Sequence, residues 1–239
     1  MSGPEAADFL ERMVSNEVAN LEVGGSRRAL LLTPKGRVIA PLVVWRRADD
    51  DFLVLTEPGL AEAVRTQLLR ARFAAKCEIE AEEHTSHVVF GGSDGIPNDE
   101  YGEPAVEVLD AEPPDELLAE DELERRRIEA RTPWWGREID DRVLPAEAGL
   151  TETHVSFTKG CYPGQEPIAR LHYRGKANRS LRLLELEGTA QPETEVLHGD
   201  KAVGRITSSV SRRALAYIRT DVPEDAVLTV DGARASSRR

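Results

Sequence analysis

The chain has 239 residues, of which 40% are hydrophobic and 31% charged, and its formal net charge is −12 at pH 7. This length suffices for one large or two modest domains. The negative charge argues against a broad nucleic-acid-binding surface, and no apolar run reaches the roughly 20 residues that cross a bilayer. The acidic start of the chain has no apolar segment typical of a signal peptide, so we expect a cytoplasmic protein without a membrane partner.

Hydrophobic spacing and turn residues predict a mixed α+β arrangement in the first part of the chain. The expected elements, in order, are a helix at 4–14, strands at 27–32, 37–45 and 52–55, a helix at 58–72, and strands at 76–81, 85–90 and 105–109. Residues 91–104 are predicted to form a loop, and a charged helix is expected over 115–130, before a mostly irregular stretch at 134–158.

The pattern changes at residue 178 to short strands that are separated by turns. These strands are expected at 181–186, 195–197, 201–207, 214–218 and 227–230, with a disordered tail at 236–239. Such a series predicts a small β-sandwich or β-barrel. We therefore expect two domains, an α+β body at 1–177 and a β module at 178–239.

One glycine- and proline-rich segment, 157–166, surrounds Cys161 and stands out from the rest of the chain. A helix over 165–173 would place Cys161 near a helix N-terminus, where the helix dipole and Lys159 both favour a thiolate. An exposed thiolate serves as a nucleophile, a redox centre or a metal ligand. The alternative is an ordinary turn with an incidental cysteine.

The run Lys159-Gly-Cys-Tyr-Pro-Gly-Gln-Glu166 resembles the signature of the YgfZ family, the folate-binding relatives of the glycine-cleavage T-protein. The signature positions are Lys159, Gly160, Cys161, Tyr162, Gly164, Gln165 and Glu166. Residues 33–37, 144–150 and 170–176 resemble other conserved segments of that family. The resemblance implies a GcvT-like ring of subdomains around a central folate site, with a small C-terminal β-barrel.

The resemblance also bears on catalysis, because the T-protein relatives carry an aspartate after the turn that corresponds to 33–37. Here Ile39, Ala40 and Pro41 occupy that region, and none of them can act as an acid or base. This departure favours an accessory protein over an aminomethyltransferase. It would bind tetrahydrofolate and support assembly or repair of iron-sulfur enzymes and the tRNA modification that depends on them, with Cys161 as a functional thiol.

Two alternatives stay open, and they belong to different classes of protein. The first is a folate-dependent aminomethyltransferase or demethylase of the T-protein type, so whether the chain is an enzyme is undecided. The second is a structural or interaction protein that keeps the fold without a ligand. The expected partners are folate and iron-sulfur proteins or their assembly factors, and direct nucleic-acid binding is not expected.

A folate site needs acceptors for the pterin edge and positive charge for the glutamate tail. The resemblance points to Glu103 and Glu107 as the acceptors, while Arg127 and Arg170 can pair with the tail carboxylates. Surface arginine is the simpler alternative for both. His84 and His87 lie close together, but their spacing would put them on opposite faces of a strand, so no metal site is predicted.

Overall fold

The computed structural model describes residues 1–114 and 116–238, which form two compact units. The first unit contains residues 1–86, 140–145 and 150–175, and the second contains residues 87–139, 146–149 and 176–239. The helices are α1 (Ala6–Met13), α2 (Ala61–Arg72), α3 (Glu120–Glu129), α4 (Thr151–His154) and α5 (Gln165–Arg174). Within the described residues, no helix has both the length and the apolar character that a bilayer crossing requires.

The first unit is built on a three-stranded antiparallel sheet in the order β1 (Ser26–Leu32), β2 (Val38–Ala48), β3 (Asp51–Thr56). Alternate residues of β2 are buried from Val38 to Val44, as expected for a strand with one face on a core. Helix α1 buries its apolar side chains, which are Ala6, Phe9, Leu10 and Met13. The spacing of these residues is helical, and it decides which face of α1 packs inward.

The second unit contains a small sheet in the order β4 (Ser86–Phe90), β6 (Ala105–Leu109), β5 (Ile96–Asn98). It also contains a closed six-stranded barrel in the order β10-β7-β12-β11-β8-β9. The barrel strands are β7 (Arg179–Leu186), β8 (Glu195–His198), β9 (Lys201–Val210), β10 (Arg213–Arg219), β11 (Leu228–Val230) and β12 (Ala233–Arg238). Small and branched apolar side chains fill its interior, and closure leaves no unpaired strand edge.

A buried polar network lies in the second unit. The Glu138 Oε1 atom accepts a hydrogen bond from Ser208 Oγ at 2.6 Å. Its Oε2 atom forms an ion pair with Arg127 at 3.0 Å. The Tyr217 hydroxyl donates to the backbone oxygen of Glu138 at 2.8 Å. These bonds connect α3, the segment after it and two barrel strands, so the network holds the helix on the barrel.

Most predicted elements are confirmed, including α5 and the C-terminal β-barrel, and the predicted α+β class is correct. Three predictions were wrong. Residues 76–81 form only an isolated bridge between Ser2 and Glu78, and the loop at 91–104 contains β5. Residues 236–238 of the supposedly disordered tail belong to β12, and residue 239 lies outside the described residues. Strand pairing explains the last two, because β5 forms a hairpin with the next strand, β6, and β12 pairs with the distant strand β7. The charged helix begins at Glu120, and residue 115 lies outside the described residues.

Candidate functional site

The predicted signature forms an exposed turn that is held by buried neighbours. Cys161 and Gly160 are exposed, whereas Tyr162 and Gly164 are buried. The Lys159 side chain is only 1% exposed. Cys161 precedes α5 rather than lying in its first turn, and the helix begins after Gly164. The fold therefore fixes the residues on both sides of an accessible thiol.

Lys159 uses its full donor capacity inside the first unit. Its ammonium group lies 3.0 Å from Glu11 Oε1, and it donates to the backbone oxygens of Val14 at 3.0 Å and Asn16 at 2.6 Å. An ammonium group has three N–H donors, so each one meets an acceptor. Burial lowers the pKa of Lys159, and the hydrogen bond and charge of Glu11 oppose that shift. Lys159 thus anchors the signature to the end of α1.

Glu11 is the centre of this anchor. Its Oε2 accepts backbone N–H hydrogen bonds from Val18 at 2.7 Å and from Ala19 at 3.0 Å. Burial alone would raise the pKa of Glu11, but the hydrogen bonds from Val18, Ala19 and Lys159 bring it below its ordinary value. One carboxylate therefore joins the turn after α1 to the signature lysine.

A second set of hydrogen bonds connects the same two segments. Glu17 Oε1 accepts from Ser156 Oγ at 2.8 Å and from Thr158 Oγ1 at 3.0 Å. Ser15, which is fully buried, donates through Oγ to the backbone oxygen of His154 at 2.6 Å. The residues immediately before the signature are therefore tied to 15–17 at several points.

Tyr162 lies beneath Lys159, with the ammonium nitrogen 5.7 Å from the ring centroid. The side chain is buried, and its hydroxyl oxygen has no hydrogen-bond partner within the described residues. Burial raises the pKa of this hydroxyl to about 12, so the group is neutral near pH 7. A buried hydroxyl without a partner is uncommon and costs stability.

Gly164 brings the signature against the hairpin turn at 33–36. Its φ is +84°, and a Cβ atom there would lie 2.6 Å from the Thr33 oxygen and 3.1 Å from the Gly36 Cα atom. Gly36 also has a positive φ, +73°, and a Cβ atom there would lie 3.4 Å from the Gly164 oxygen. Gly164 therefore permits a backbone approach that a Cβ atom would obstruct, and Gly36 supplies the positive φ that the turn requires.

Helix α5 follows and presents polar and aromatic groups at the surface. Glu166 and Arg170 are exposed, and neither side chain has a hydrogen bond or ion pair to the part of the chain that the structure describes. The rings of Phe157 and His172 stack with centroids 4.0 Å apart, and Tyr173 packs edge-on against both. Gln165 makes only a long contact, 3.5 Å from Nε2 to the Gly160 oxygen.

The two predicted folate carboxylates and one predicted arginine lie in the second unit. Glu103 pairs with Arg126 at 3.1 Å, and its side chain is 57% exposed. Arg126 also covers the ring of Phe90 at 4.6 Å. Glu107 is half-buried in β6, and its carboxylate has no hydrogen bond or ion pair to the described residues. Both carboxylates are accessible, but only Glu107 lacks a cationic partner.

Arg127 is fully buried, unlike the other predicted folate ligands. Its guanidinium group makes two hydrogen bonds to Glu124, at 2.7 and 2.9 Å, and pairs with Glu138 at 3.0 Å. It also donates to the Thr132 oxygen at 2.6 Å and lies 4.7 Å from the centroid of the Trp134 ring. These contacts give Arg127 a structural role, and its role as a folate ligand stays a prediction.

Comparison with known proteins matches the two ends of the chain to two different family models. Residues 1–91 match the family model of the GCVT N-terminal domain, and residues 178–239 match that of the CAF17 C-terminal beta-barrel domain. The chain therefore combines a GCVT N-terminal domain with a CAF17-type C-terminal β-barrel, and proteins named YgfZ are among its relatives. The resemblance that the signature carries is thereby confirmed.

Two kinds of named relative are similar to this chain. The tRNA-modifying protein YgfZ of Edwardsiella ictaluri is 25% identical, over 98% of this chain and 86% of the relative. The aminomethyltransferase of Acidobacterium capsulatum is 24% identical, over 93% and 75%. The crystal structure of glycine cleavage system aminomethyltransferase T from Bartonella henselae matches with a TM-score of 0.85 at 19% identity, covering 100% of this chain and 81% of that one. This last match confirms the GcvT-like fold.

The region expected to carry the acid of the T-protein relatives lies in β2 of this YgfZ/GcvT-like chain. Ala40 is buried, while Ile39 and Pro41 are half-buried on the other face of the strand. Pro41 pairs with Leu30 in the sheet, and its oxygen accepts a hydrogen bond from Thr56 at 2.9 Å. Residues 39–41 therefore have structural contacts but no group that transfers protons.

The contacts of His154 and His84 are with other protein groups. His154 is buried, and burial lowers its pKa to about 3. His84 contacts Glu82 at 3.2 Å, and Glu82 pairs with Arg47. Across residues 1–114 and 116–238, no cluster of three His, Cys, Asp or Glu side chains has a geometry that could hold a metal ion.

Sequence analysis missed the residues that hold the signature from the other side. Glu11, Ser15, Asn16 and Glu17 supply the acceptors and donors described above. Their segment resembles the opening helix and turn of the family, but nothing local marks these polar residues as partners of Lys159 and Ser156. One general signal exists in the sequence: Lys159 is one of only five lysines in an arginine-rich chain, but this rarity applies equally to the other four and names no partners.

Proposed function

We propose that this protein binds a tetrahydrofolate derivative and acts as an accessory factor for iron-sulfur enzymes and the tRNA modification that depends on them. Cys161 is its functional thiol. The observation that carries the proposal is the contrast within the signature, where an exposed cysteine lies between the buried residues Lys159 and Tyr162. Relatives named tRNA-modifying protein YgfZ and the CAF17-type C-terminal barrel support this branch.

The residues that hold the Cys161 turn in place carry free-energy costs. Lys159 gives up hydration for three acceptors, Tyr162 buries an unpaired hydroxyl, and Gly164 occupies a positive φ at a close backbone contact that admits only glycine. An incidental cysteine in a surface turn needs none of these. Local features that cost stability are concentrated at sites under functional constraint. The arrangement therefore supports a working thiol in preference to an incidental one.

The predicted folate ligands fit the cofactor unequally. Glu107 offers an unpaired carboxylate for pterin N–H groups, and Arg170 offers an unpaired guanidinium for a tail carboxylate. Glu103 would have to share its carboxylate with Arg126, and Arg127 would have to leave Glu138. We therefore expect Glu107 and Arg170 to contribute more to folate affinity than Glu103 and Arg127.

An aminomethyltransferase or demethylase is the second candidate, because several relatives carry the name aminomethyltransferase. The side chains of Ile39, Ala40 and Pro41 argue against it, since none can exchange a proton. Turnover of a methylated amine by purified protein with tetrahydrofolate would favour this candidate. An accessory protein shows no such turnover.

Folate binding is tested by titration calorimetry and by thermal unfolding with tetrahydrofolate. Saturating ligand should raise the melting temperature, because a ligand that binds only the native state stabilises it. Glu107→Gln and Arg170→Gln should each weaken binding by about tenfold. Arg205→Gln is the control, because Arg205 is exposed and pairs with Glu193 on the barrel. Absence of heat and of thermal shift would refute folate binding and favour a structural protein without a ligand.

The thiol is tested in cells that lack the protein, with the activity of an iron-sulfur enzyme as the readout. Cys161→Ser should fold normally and fail to restore that activity. Cys77→Ser is the control, because Cys77 is buried in the same unit. Full restoration by Cys161→Ser would remove the thiol from the function. Cytoplasmic location, interaction with iron-sulfur proteins or assembly factors, and the domain boundary after residue 177 remain parts of this proposal.

A further inference from the structure

Phe73 is the most exposed large apolar side chain in the described part of the chain, with 93% of its surface accessible. It follows the last residue of α2 and belongs to the first unit. It is separated from the signature at 159–166 by more than 80 residues of sequence. Its exposure leaves an aromatic ring in water where burial would stabilise the protein.

The backbone at Phe73 is also strained. Its φ is +45° and its ψ is −115°, a combination that a bulky residue rarely adopts. Helices usually end with glycine or asparagine at a left-handed position, because these residues tolerate a positive φ. Both the exposed ring and the strained backbone of Phe73 therefore lower the free energy of unfolding of the isolated protein, and the ring makes no packing contact with the described residues that offsets them.

The turn that carries Phe73 is rigid. Arg72 donates through Nη1 to the Cys77 oxygen at 2.9 Å, and its own oxygen accepts from Ala75 N at 2.9 Å. Lys76 N donates to Glu5 Oε2 at 2.9 Å, which ties the turn to the start of α1. The ring of Phe73 is consequently presented by a fixed backbone, which reduces the entropy that binding would cost.

A cavity of ≈ 390 Å³ opens beside this turn. Its apolar walls come from Phe9 and Met13 of α1 and from the alanines next to Phe73. Arg12 and Arg72 stand at its edge, together with Glu5. The volume is large enough to receive an aromatic or long aliphatic side chain, and the walls suit an apolar one.

The charge around the cavity is opposite to that of the whole protein. The segment 63–77 contains basic residues and no acidic one, although the chain carries a net charge of −12. The basic residues of this segment are Arg65, Arg70, Arg72 and Lys76. Arg12 and Arg70 have no ion pair within the described residues and are exposed, whereas Glu5 already accepts the Lys76 N–H. An acidic partner would find unpaired cations here.

We propose that the cavity bordered by Phe73, Arg12 and Arg72, together with the exposed Arg70 of the same helix end, forms a docking surface for an acidic protein segment. We call it the Phe73 surface. The partner's aromatic or long aliphatic side chain enters the cavity beside Phe9, Phe73 packs on the partner, and acidic residues of the partner pair with the arginines. This interaction is separate from the thiol and folate proposals.

Two other occupants fit the observations less well. RNA would use the arginines, but the cavity walls offer few donors or acceptors for a base edge. A second copy of this chain that packed through the same surface would place these arginines against their own counterparts, which opposes association. An acidic segment with an apolar anchor satisfies both the cavity and the arginines.

The test uses a phage-displayed library of random linear peptides, selected on the full-length protein and counter-selected on Phe73→Ala. Enriched peptides should carry acidic residues around an aromatic or long aliphatic residue. Their affinity, measured by fluorescence polarisation, should fall by about tenfold or more in Phe73→Ala. Arg12→Glu and Arg70→Glu should weaken binding most at low salt, because they act through charge.

Phe73→Gly separates binding from folding. Glycine removes the strain and the exposed ring, so this variant should melt at a higher temperature than wild type and still lose the peptides. Leu117→Ala is the control, because Leu117 is 71% exposed and lies outside the Phe73 surface. Enrichment of basic or purely polar peptides, or of none, would overturn the proposal. So would a Phe73-dependent complex with single-stranded RNA, or a homodimer that Phe73→Gly dissociates.

Discussion

The ammonium group of Lys159 lies 3.0 Å from Glu11 Oε1, which joins the residue that opens the signature to a helix near the start of the chain. The same ammonium group donates to two backbone oxygens, so its position is determined by three acceptors at once. Arginine has a planar fork of donors that does not match three acceptors around one point. This geometry explains a lysine in a chain that otherwise prefers arginine.

Replacing Lys159 by methionine should lower the free energy of unfolding by about 3 kcal/mol, because Glu11 and two backbone oxygens lose their buried partner. Lys159→Arg should not restore stability. Urea unfolding measures both. Lys35→Met is the control, because Lys35 is exposed on the hairpin turn and its replacement should change stability by less than about 0.5 kcal/mol. Equal effects of the two methionine variants would contradict the role of Lys159 as an anchor.

Gly164→Ala should destabilise the protein by about 3 kcal/mol, because the new Cβ atom would lie 2.6 Å from the Thr33 oxygen at a positive φ. Gly149→Ala isolates the backbone strain, since Gly149 has a φ of +76° with no atom near its Cβ position, and about 1 kcal/mol is expected. Gly160→Ala has open space and no positive φ, and should be nearly neutral. Thermal unfolding that ranked the three differently would disprove the close approach.

Tyr162→Phe should raise the free energy of unfolding by about 1 kcal/mol, because it removes a buried hydroxyl without a partner. Tyr217→Phe is the matched control. Its hydroxyl donates to Glu138 at 2.8 Å, so its loss should lower stability by about 1 kcal/mol. Urea unfolding gives both values. A loss of stability in Tyr162→Phe would mean that the hydroxyl has a partner in solution.

The two cysteines should differ in their reaction with iodoacetamide. Cys161 is exposed and should be modified quickly in the native protein. Burial raises the pKa of the Cys77 thiol and also blocks access, so Cys77 should react only after unfolding. Mass spectrometry of modified peptides distinguishes the two sites, and Cys161→Ser should remove the fast phase. Rapid native labelling of Cys77 would contradict its burial.

His154 should make the protein less stable in mild acid. Burial lowers its pKa to about 3, whereas the unfolded chain binds a proton below the ordinary value of 6.5. Its contribution is therefore complete above pH 6.5 and is lost as the pH falls towards 3, at no more than about 1.4 kcal/mol per pH unit. His154→Gln should flatten the pH profile of urea unfolding between pH 6.5 and about 5.5, above the range in which most carboxylates titrate. An unchanged slope would refute a neutral, buried imidazole.

The sequence by itself determined the local elements and the family. Helical spacing placed the buried residues of α1, and the run from Lys159 to Glu166 identified the signature by its residue types alone. Alternating turns and short apolar runs predicted a small C-terminal β-sandwich or β-barrel, and the family resemblance implied the barrel. These properties depend on residues close together in the chain, so a pattern in the sequence is enough to predict them.

Only the tertiary structure decided which residues meet. Sheet pairing and the packing of α1 bring Glu11 to Lys159, and the hairpin turn brings Gly36 to Gly164. Pairing with β7 places residues of the predicted tail in β12. Packing in the second unit buries Arg127, which the sequence alone suggested as a folate ligand or a surface arginine. Each contact joins residues whose separation along the chain carries no local signal. The signature named the thiol, and the fold alone defined the buried residues that hold it in place.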